Sequence, residues 1–80
     1  MAENGASFKL STVEKIVKHH FQDNGKTRMN TDSVKLTTEL LRLFVLEMAA
    51  RSCDQARSEG AETVEVEHLE KILPQLLLDF

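Results

Sequence analysis

The chain has 80 residues and is slightly acidic, with 10 lysines and arginines, 13 aspartates and glutamates, and a formal net charge of −3. Apolar residues make up 41% and charged residues 29% of the sequence, which predicts one small globular domain and excludes a disordered chain. We expect neither a transmembrane span nor a signal peptide. The single cysteine excludes a disulfide framework and a zinc cluster, and it fits a reducing compartment.

The N-terminal part of the chain predicts a short polar tail followed by a helix. Residues 1–7 are small and polar, so we expect a disordered tail. Ser11 and Glu14 have the spacing of a capping box, which predicts Ser11 as the N-cap. Apolar residues then recur at helical intervals as far as Phe21, and a breaker cluster follows at 23–25.

A long second helix is predicted in the middle of the chain. Asn30 or Thr31 can cap its start, and neither glycine nor proline occurs before Gly60, a typical stop. About 28 uninterrupted residues would form a rod of roughly 42 Å. Nine of the eleven residues at 40–50 are apolar, so the rod is apolar on nearly every side and needs cover from several directions.

A third, short helix is predicted to start near Glu65. Pro74 should end or kink it, and an apolar tail follows at 75–80. Two short helices are too small to cover the long rod on every side. Length and periodicity alone therefore predict an obligate dimer or a larger assembly.

The short–long–short order resembles the histone fold, in which two chains cross their long helices in a handshake. Two segments are more specific: residues 39–45 (ELLRLFV) and 68–80 (HLEKILPQLLLDF) resemble the centromere protein X family. The resemblance covers about 8–80. It implies an all-α histone-fold domain over these residues, paired in a handshake dimer.

This resemblance also implies a function. The family is non-catalytic, and its members pair with centromere protein S in an obligate heterodimer. Two pairs form a tetramer that binds double-stranded DNA. The complex serves the kinetochore with centromere proteins T and W, and it serves Fanconi anaemia DNA repair with the group M translocase. The implied location is the nucleus and the centromere, and no cofactor, membrane or small-molecule substrate is implied.

The candidate DNA-binding residues form a basic segment near the N-terminus. Residues 9–28 contain five basic and two acidic side chains. With the resemblance, we expect Lys26 and Arg28 in the first loop to contact phosphate, assisted by Lys9, Lys15 and Lys18. The alternative is an ordinary solvated helix face. The second loop departs from the core-histone pattern because it carries Glu59 and Glu62, which should repel phosphate.

The candidate partner interface is apolar. Its predicted members lie in the long helix and the C-terminal segment: Leu40, Leu41, Phe44, Val45, Met48, Leu69, Ile72, Leu76, Leu77 and Phe80. The last apolar residues either pack within the histone-fold assembly or form a docking surface for another protein: Leu76, Leu77, Leu78 and Phe80. Arg51 and Arg57 are expected to form ion pairs near the end of the long helix, with Glu47, Asp54 and His68 as partners.

Two other functional classes stay open, and one is disfavoured. The chain could be a histone-fold transcription-factor subunit, or a helical protein-binding adaptor that does not contact DNA. An enzyme is disfavoured because no phosphate loop, paired-carboxylate site or nucleophile with a base is apparent, and Cys53 is interpreted as a small packing residue. His19 and His20 are adjacent and cannot share a metal from one helix face, so we expect one at the core edge and one in solvent.

Overall fold

The computed structural model describes residues 8–21, 23 and 26–80. The regular secondary structure of these residues consists of α1 (Leu10–Phe21), α2 (Thr31–Ser58) and α3 (Val66–Asp79). This confirms the predicted all-α order of a short, a long and a short helix. The predicted tail at residues 1–7 lies outside the described residues. In the part of the chain that was described, no helix has the length and apolarity to cross a membrane.

Helix α1 begins at Leu10, two residues earlier than an N-cap at Ser11 predicts. The backbone oxygen of Lys9 accepts hydrogen bonds from the N–H groups of Thr12 (3.1 Å) and Val13 (3.2 Å). Ser11 is therefore already helical, and the prediction that it is the N-cap is wrong. The predicted end near Phe21 is confirmed.

The start of α2 is capped as predicted. Asn30 Oδ1 accepts a hydrogen bond from the N–H of Ser33 at 2.8 Å, and its backbone oxygen accepts one from the N–H of Val34 at 3.0 Å. One turn later, the buried hydroxyl of Thr38 donates to the oxygen of Val34 at 2.7 Å. This bond satisfies a buried polar group within the helix, so Thr38 can lie in the interior beside Val34.

The end of α2 confirms Gly60 as the stop. Gly60 has a φ of +74°, which side chains with a Cβ rarely adopt. Its N–H donates to the oxygen of Arg57 at 3.0 Å, and the N–H of Ala61 donates to the oxygen of Ala56 at 2.9 Å. This is the Schellman pair of hydrogen bonds, which satisfies the last carbonyl groups of the helix and reverses the chain.

Helix α3 continues through Pro74. Of the two effects predicted for this proline, an end of the helix is therefore wrong. The segment predicted as a tail is helical as far as Asp79. Proline has no N–H to donate to the hydrogen-bond ladder, and its ring crowds the carbonyl group one turn earlier. Ile72 and Leu76 are buried on either side of it, and Leu76 is fully inaccessible to solvent. Packing of these two side chains outweighs the lost hydrogen bond.

The chain divides into two compact units, Met1–Arg42 and Leu43–Phe80. The buried residues described in the first unit are Val13, Val34 and Thr38. Those in the second unit are Ser52, Ala56, His68, Ile72 and Leu76. Both cores contain few of the apolar side chains present. Several apolar side chains of α2 are exposed in each unit instead.

Candidate nucleic-acid and partner interfaces

All five predicted DNA-binding residues are exposed, and all lie in the first unit. Helix α1 carries Lys15 and Lys18 one turn apart, and Lys9 directly precedes it. Lys26 and Arg28 lie in the non-helical connection between α1 and α2. The fold therefore places two basic residues on a helix surface and two in a loop, as expected for contacts with a phosphate backbone.

The last turn of α1 adds two histidines to this basic unit. His19 and His20 follow Lys18 and are both exposed, with ring centroids 5.7 Å apart and nearly perpendicular planes. The prediction that one of them packs at the core edge is wrong. A cationic side chain in this position is favourable because the helix C-terminus carries partial negative charge.

Two hydrogen bonds join Asp23 to residues 26 and 27 of the first loop. The Asp23 carboxylate accepts a hydrogen bond from the Thr27 hydroxyl, and the Asp23 backbone oxygen accepts one from the N–H of Lys26 at 3.3 Å. The bond from the Thr27 side chain is the main reason that the pKa of Asp23 lies below its ordinary value. The breaker cluster predicted at 23–25 lies partly outside the described residues, and the pairing of Asp23 with Thr27 was not predicted.

The predicted partner interface falls into three groups by exposure. In the first unit, Leu40 and Leu41 are 52% and 41% exposed. Members of the second unit that are exposed are Val45, Leu77 and Phe80, and those half-buried are Phe44, Met48 and Leu69. Ile72 and Leu76 are buried within the chain itself. These two pack within the chain, whereas the other eight have exposed apolar area that a second chain could cover.

The last turn of α3 is attached to α2 by one aromatic contact and one ion pair. The rings of Phe44 and Phe80 meet edge to face with centroids 5.2 Å apart. Arg51 Nη2 lies 2.7 Å from Asp79 Oδ2, while Arg51 Nε donates to Glu47 at 2.9 Å. The predicted pairing of Arg51 with Glu47 is confirmed, and its pairing with Asp79 was missed because Asp79 is distant in sequence.

These bonds shift the pKa values of both partners. Hydrogen bonds to Glu47 and then Asp79 raise the pKa of Arg51. Asp79 accepts hydrogen bonds from Gln75 and Arg51, and these lower its pKa, with the bond from Gln75 the larger cause. Aspartate and arginine are charged at neutral pH without these shifts, and the directions of the shifts show that the ion pair favours the charged forms.

Of the ion pairs expected at the far end of α2, that of Arg57 is confirmed and that of His68 has a different partner. Arg57 pairs with Asp54 at 3.3 Å as predicted, but both side chains are more than three-quarters exposed, so the pair contributes little. His68 faces Glu59 instead of an arginine partner, with Nε2 at 3.5 Å from Oε1. Glu59 also pairs with Lys71 at 2.7 Å, and that bond is the first cause of its lowered pKa.

The remaining candidate residues are those that could bind a metal, and Cys53. No group of three or more histidine, cysteine, aspartate or glutamate side chains in these residues could hold a metal ion. Cys53 is exposed, so its interpretation as a packing residue is wrong for this chain.

Comparison with known proteins identifies the family. The family model described as "CENP-S associating Centromere protein X" matches residues 10–80. Centromere protein X of Gallus gallus is 51% identical over 80 residues, covering 100% of this chain and 99% of the relative. The Bos taurus protein of that name is 51% identical over 80 residues, with 100% of both chains covered. The Homo sapiens protein is 46% identical over 76 residues, covering 95% of this chain and 93% of the relative. This chain therefore belongs to the centromere protein X family of histone-fold subunits, which is not an enzyme family.

Proposed function

We propose that this chain is a non-catalytic subunit that pairs with centromere protein S through its histone fold. Two such pairs would form a complex that binds double-stranded DNA. The observation that carries the proposal is the exposed apolar surface of α2, which a single copy of this chain leaves uncovered. The family description, which names association with centromere protein S, supports this partner.

The energetic case for a partner is the mismatch between buried and exposed apolar residues. Five apolar side chains are buried among the described residues, whereas fourteen large apolar side chains are exposed. Leu36, Leu40 and Leu41 in the first unit are between 41% and 63% exposed. Covering a leucine or valine contributes about 1.5 to 3 kcal/mol, so a second chain that buries several of them would supply much of the stability that a small core lacks.

The case for DNA contact comes from charge. Residues 8–42 contain seven basic and four acidic side chains, a net of +3. The lysines and arginine of this segment would neutralise phosphates without reading base edges, so binding should be independent of sequence and weakened by salt. The acidic second loop does not favour DNA, because Glu62 is exposed there beside Glu59. Centromere protein S would supply further positive charge.

The cellular role follows from family membership as part of the proposal. We place the complex in the nucleus at the centromere, where it would join centromere proteins T and W during kinetochore assembly in the cell cycle. It would also assist the Fanconi anaemia group M translocase in the repair of DNA damage.

The proposal is tested by measuring mass and folding with and without the partner. Light scattering and circular dichroism would be recorded for this chain alone and after co-expression with centromere protein S. We expect a lone chain that is aggregated or poorly folded and a co-expressed complex of defined mass. A stable, folded, monomeric chain would contradict the proposal.

Titration of the complex with duplex DNA then tests the second half of the proposal. The acidic second loop favours one alternative, a protein-binding adaptor that does not contact DNA. A complex that forms but shows no affinity for duplex DNA would support that adaptor.

A further inference from the structure

The side chain of His68 is polar but almost completely buried, and it has no role in the two surfaces described above. It is 3% exposed and lies in the first turn of α3. Its Nδ1 accepts a hydrogen bond from the N–H of Glu65 at 2.8 Å. Nδ1 therefore carries the lone pair, and in the neutral ring the hydrogen is on Nε2, which faces Glu59. Nδ1 thus has a hydrogen-bond partner, and Nε2 lies 3.5 Å from Glu59 Oε1, within ion-pair distance.

The carboxylate that His68 faces is itself held in place. Glu59 Oε2 accepts hydrogen bonds from Lys71 Nζ and from Gln55 Nε2, each at 2.7 Å. Glu59 directly follows α2, and the N–H of Glu65 directly precedes α3. The imidazole of His68 therefore contacts both ends of the loop at 59–65. The chain reverses within this loop, at Gly60.

This loop presents apolar side chains on either side of the residue that His68 holds. Val64 and Val66 flank Glu65 and are 38% and 68% exposed. Glu65 is in an extended conformation, with φ −108° and ψ 167°. Val66 begins an apolar stripe along α3 that continues at helical spacing through Leu69, Leu73 and Leu77. The apolar stripe of α3 thus extends along the helix to the loop at 59–65.

We infer that His68 is a positioning residue for partner binding. Its buried imidazole fixes the loop at 59–65 and so holds Val64 and Val66 where the histone fold of centromere protein S covers them. This inference rests on the pairing proposed above. A loop that is ordered before association loses less conformational entropy when the partner binds, which strengthens the complex.

The chemistry at residue 68 restricts which substitutions can replace histidine. The site needs an acceptor facing the N–H of Glu65 and a donor facing Glu59. Glutamine has both in its side-chain amide, and it is a usual residue at this position of a capping box. Leucine is of similar size but has neither, so it would leave the part-buried backbone N–H of Glu65 without its acceptor. His68→Gln should therefore retain the function, and His68→Leu should lose it.

The test uses the full chain in complex with centromere protein S. Hydrogen exchange would be measured at the amides of 62–66, and the rate of subunit exchange would be measured with labelled partner in excess. For His68→Leu we expect both rates to rise about tenfold, as for the loss of one buried hydrogen bond. For His68→Gln we expect both rates within about twofold of the wild type. Val34→Ala, a core change outside both predicted interfaces, controls for general loss of stability and should leave the loop amides protected.

Each result is decisive. Wild-type rates in His68→Leu, or equal rates in His68→Leu and His68→Gln, would overturn the positioning role while leaving the pairing intact. Loop exchange in Val34→Ala as fast as in His68→Leu would also overturn it, because general destabilisation would then explain the effect. If the wild-type chain forms no complex with centromere protein S, the proposed function fails, and the positioning role fails with it.

Discussion

The units Met1–Arg42 and Leu43–Phe80 differ in charge and in how their ordered segments are held. Residues 8–42 carry a net charge of +3, whereas residues 43–80 contain three basic and eight acidic side chains, a net of −5. In the first unit, the polar contacts described are local, as in the Asn30 cap and the turn between Asp23 and Thr27. In the second unit, the pairs of Arg51 with Asp79 and of Lys71 with Glu59 connect different helical segments.

This difference suggests a division of roles within one small chain. The first unit leaves its lysines exposed around a loop, which suits contact with a phosphate backbone. The second unit uses its charged side chains mainly to fix α3 and its loop, which suits the presentation of apolar side chains to another protein. Both units still expose leucines of α2, so partner binding should require both while DNA binding should require mainly the first.

The largest effect is expected from a charge placed on the exposed apolar surface of either unit. Leu41→Asp in the first unit and Val45→Asp in the second should each abolish pairing with centromere protein S, because the carboxylate would be buried without a partner. Co-purification and light scattering would measure this. Val45→Thr keeps the shape and adds no charge, so it should still pair. A normal heterodimer formed by either aspartate variant would refute handshake pairing through α2.

A second prediction separates the two units by their response to salt. In the complex, Lys26→Ala combined with Arg28→Ala should weaken duplex DNA binding equally for all sequences and reduce the slope of log K against log salt by about 2. The control is Arg57→Ala, an exposed arginine of the second unit, which should leave the slope unchanged. An unchanged slope in the double variant would remove the first loop from the DNA interface.

Sequence analysis succeeded where structure is decided locally and failed where packing or distant residues decide it. The Asn30 cap and the Gly60 stop depend on a few neighbouring backbone groups, and both were predicted. Continuation of α3 past Pro74 depends on burial of Leu76, which no local pattern shows.

The same limit applies to the candidate sites. Exposed lysines and apolar surface could be anticipated from charge and periodicity. The pairing of Arg51 with Asp79 and the buried position of His68 could not, because they depend on how α3 lies against the end of α2. A histidine at the third position of a helix is a weak signal of a capping box that could have drawn attention to His68.

A third prediction compares two candidate caps, both in the first unit. Asn30→Ala should destabilise the complex by about 1 kcal/mol, because the N–H of Ser33 loses its acceptor. Ser11→Ala should have little effect, since Ser11 is already inside α1 and the oxygen of Lys9 accepts the first helical bonds. Urea unfolding of the two variant complexes at equal concentration would measure the difference. A larger loss of stability for Ser11→Ala than for Asn30→Ala would contradict this, and it would support Ser11 as the N-cap of α1.

The smallest effect concerns acid, and it should be seen mainly in the second unit. The pKa of Glu59 is lowered from its ordinary value of 4.5, first by the hydrogen bond from Lys71 and then by that from Gln55. Because the folded carboxyl binds a proton less readily than the unfolded one, its stabilising contribution is complete above the ordinary pKa. It is lost as pH falls through the lowered value. Asp79 behaves in the same way, owing to Gln75 and Arg51.

Thermal unfolding of the complex as a function of pH below neutrality should therefore show a shallower loss of stability in acid for Glu59→Gln than for the wild type. Asp54→Asn is the matched control, because the exposed pair of Asp54 with Arg57 contributes little and its removal should leave the acid profile unchanged. Equal acid profiles for Glu59→Gln and the wild type would show that the link between Glu59 and Lys71 does not stabilise the loop at 59–65.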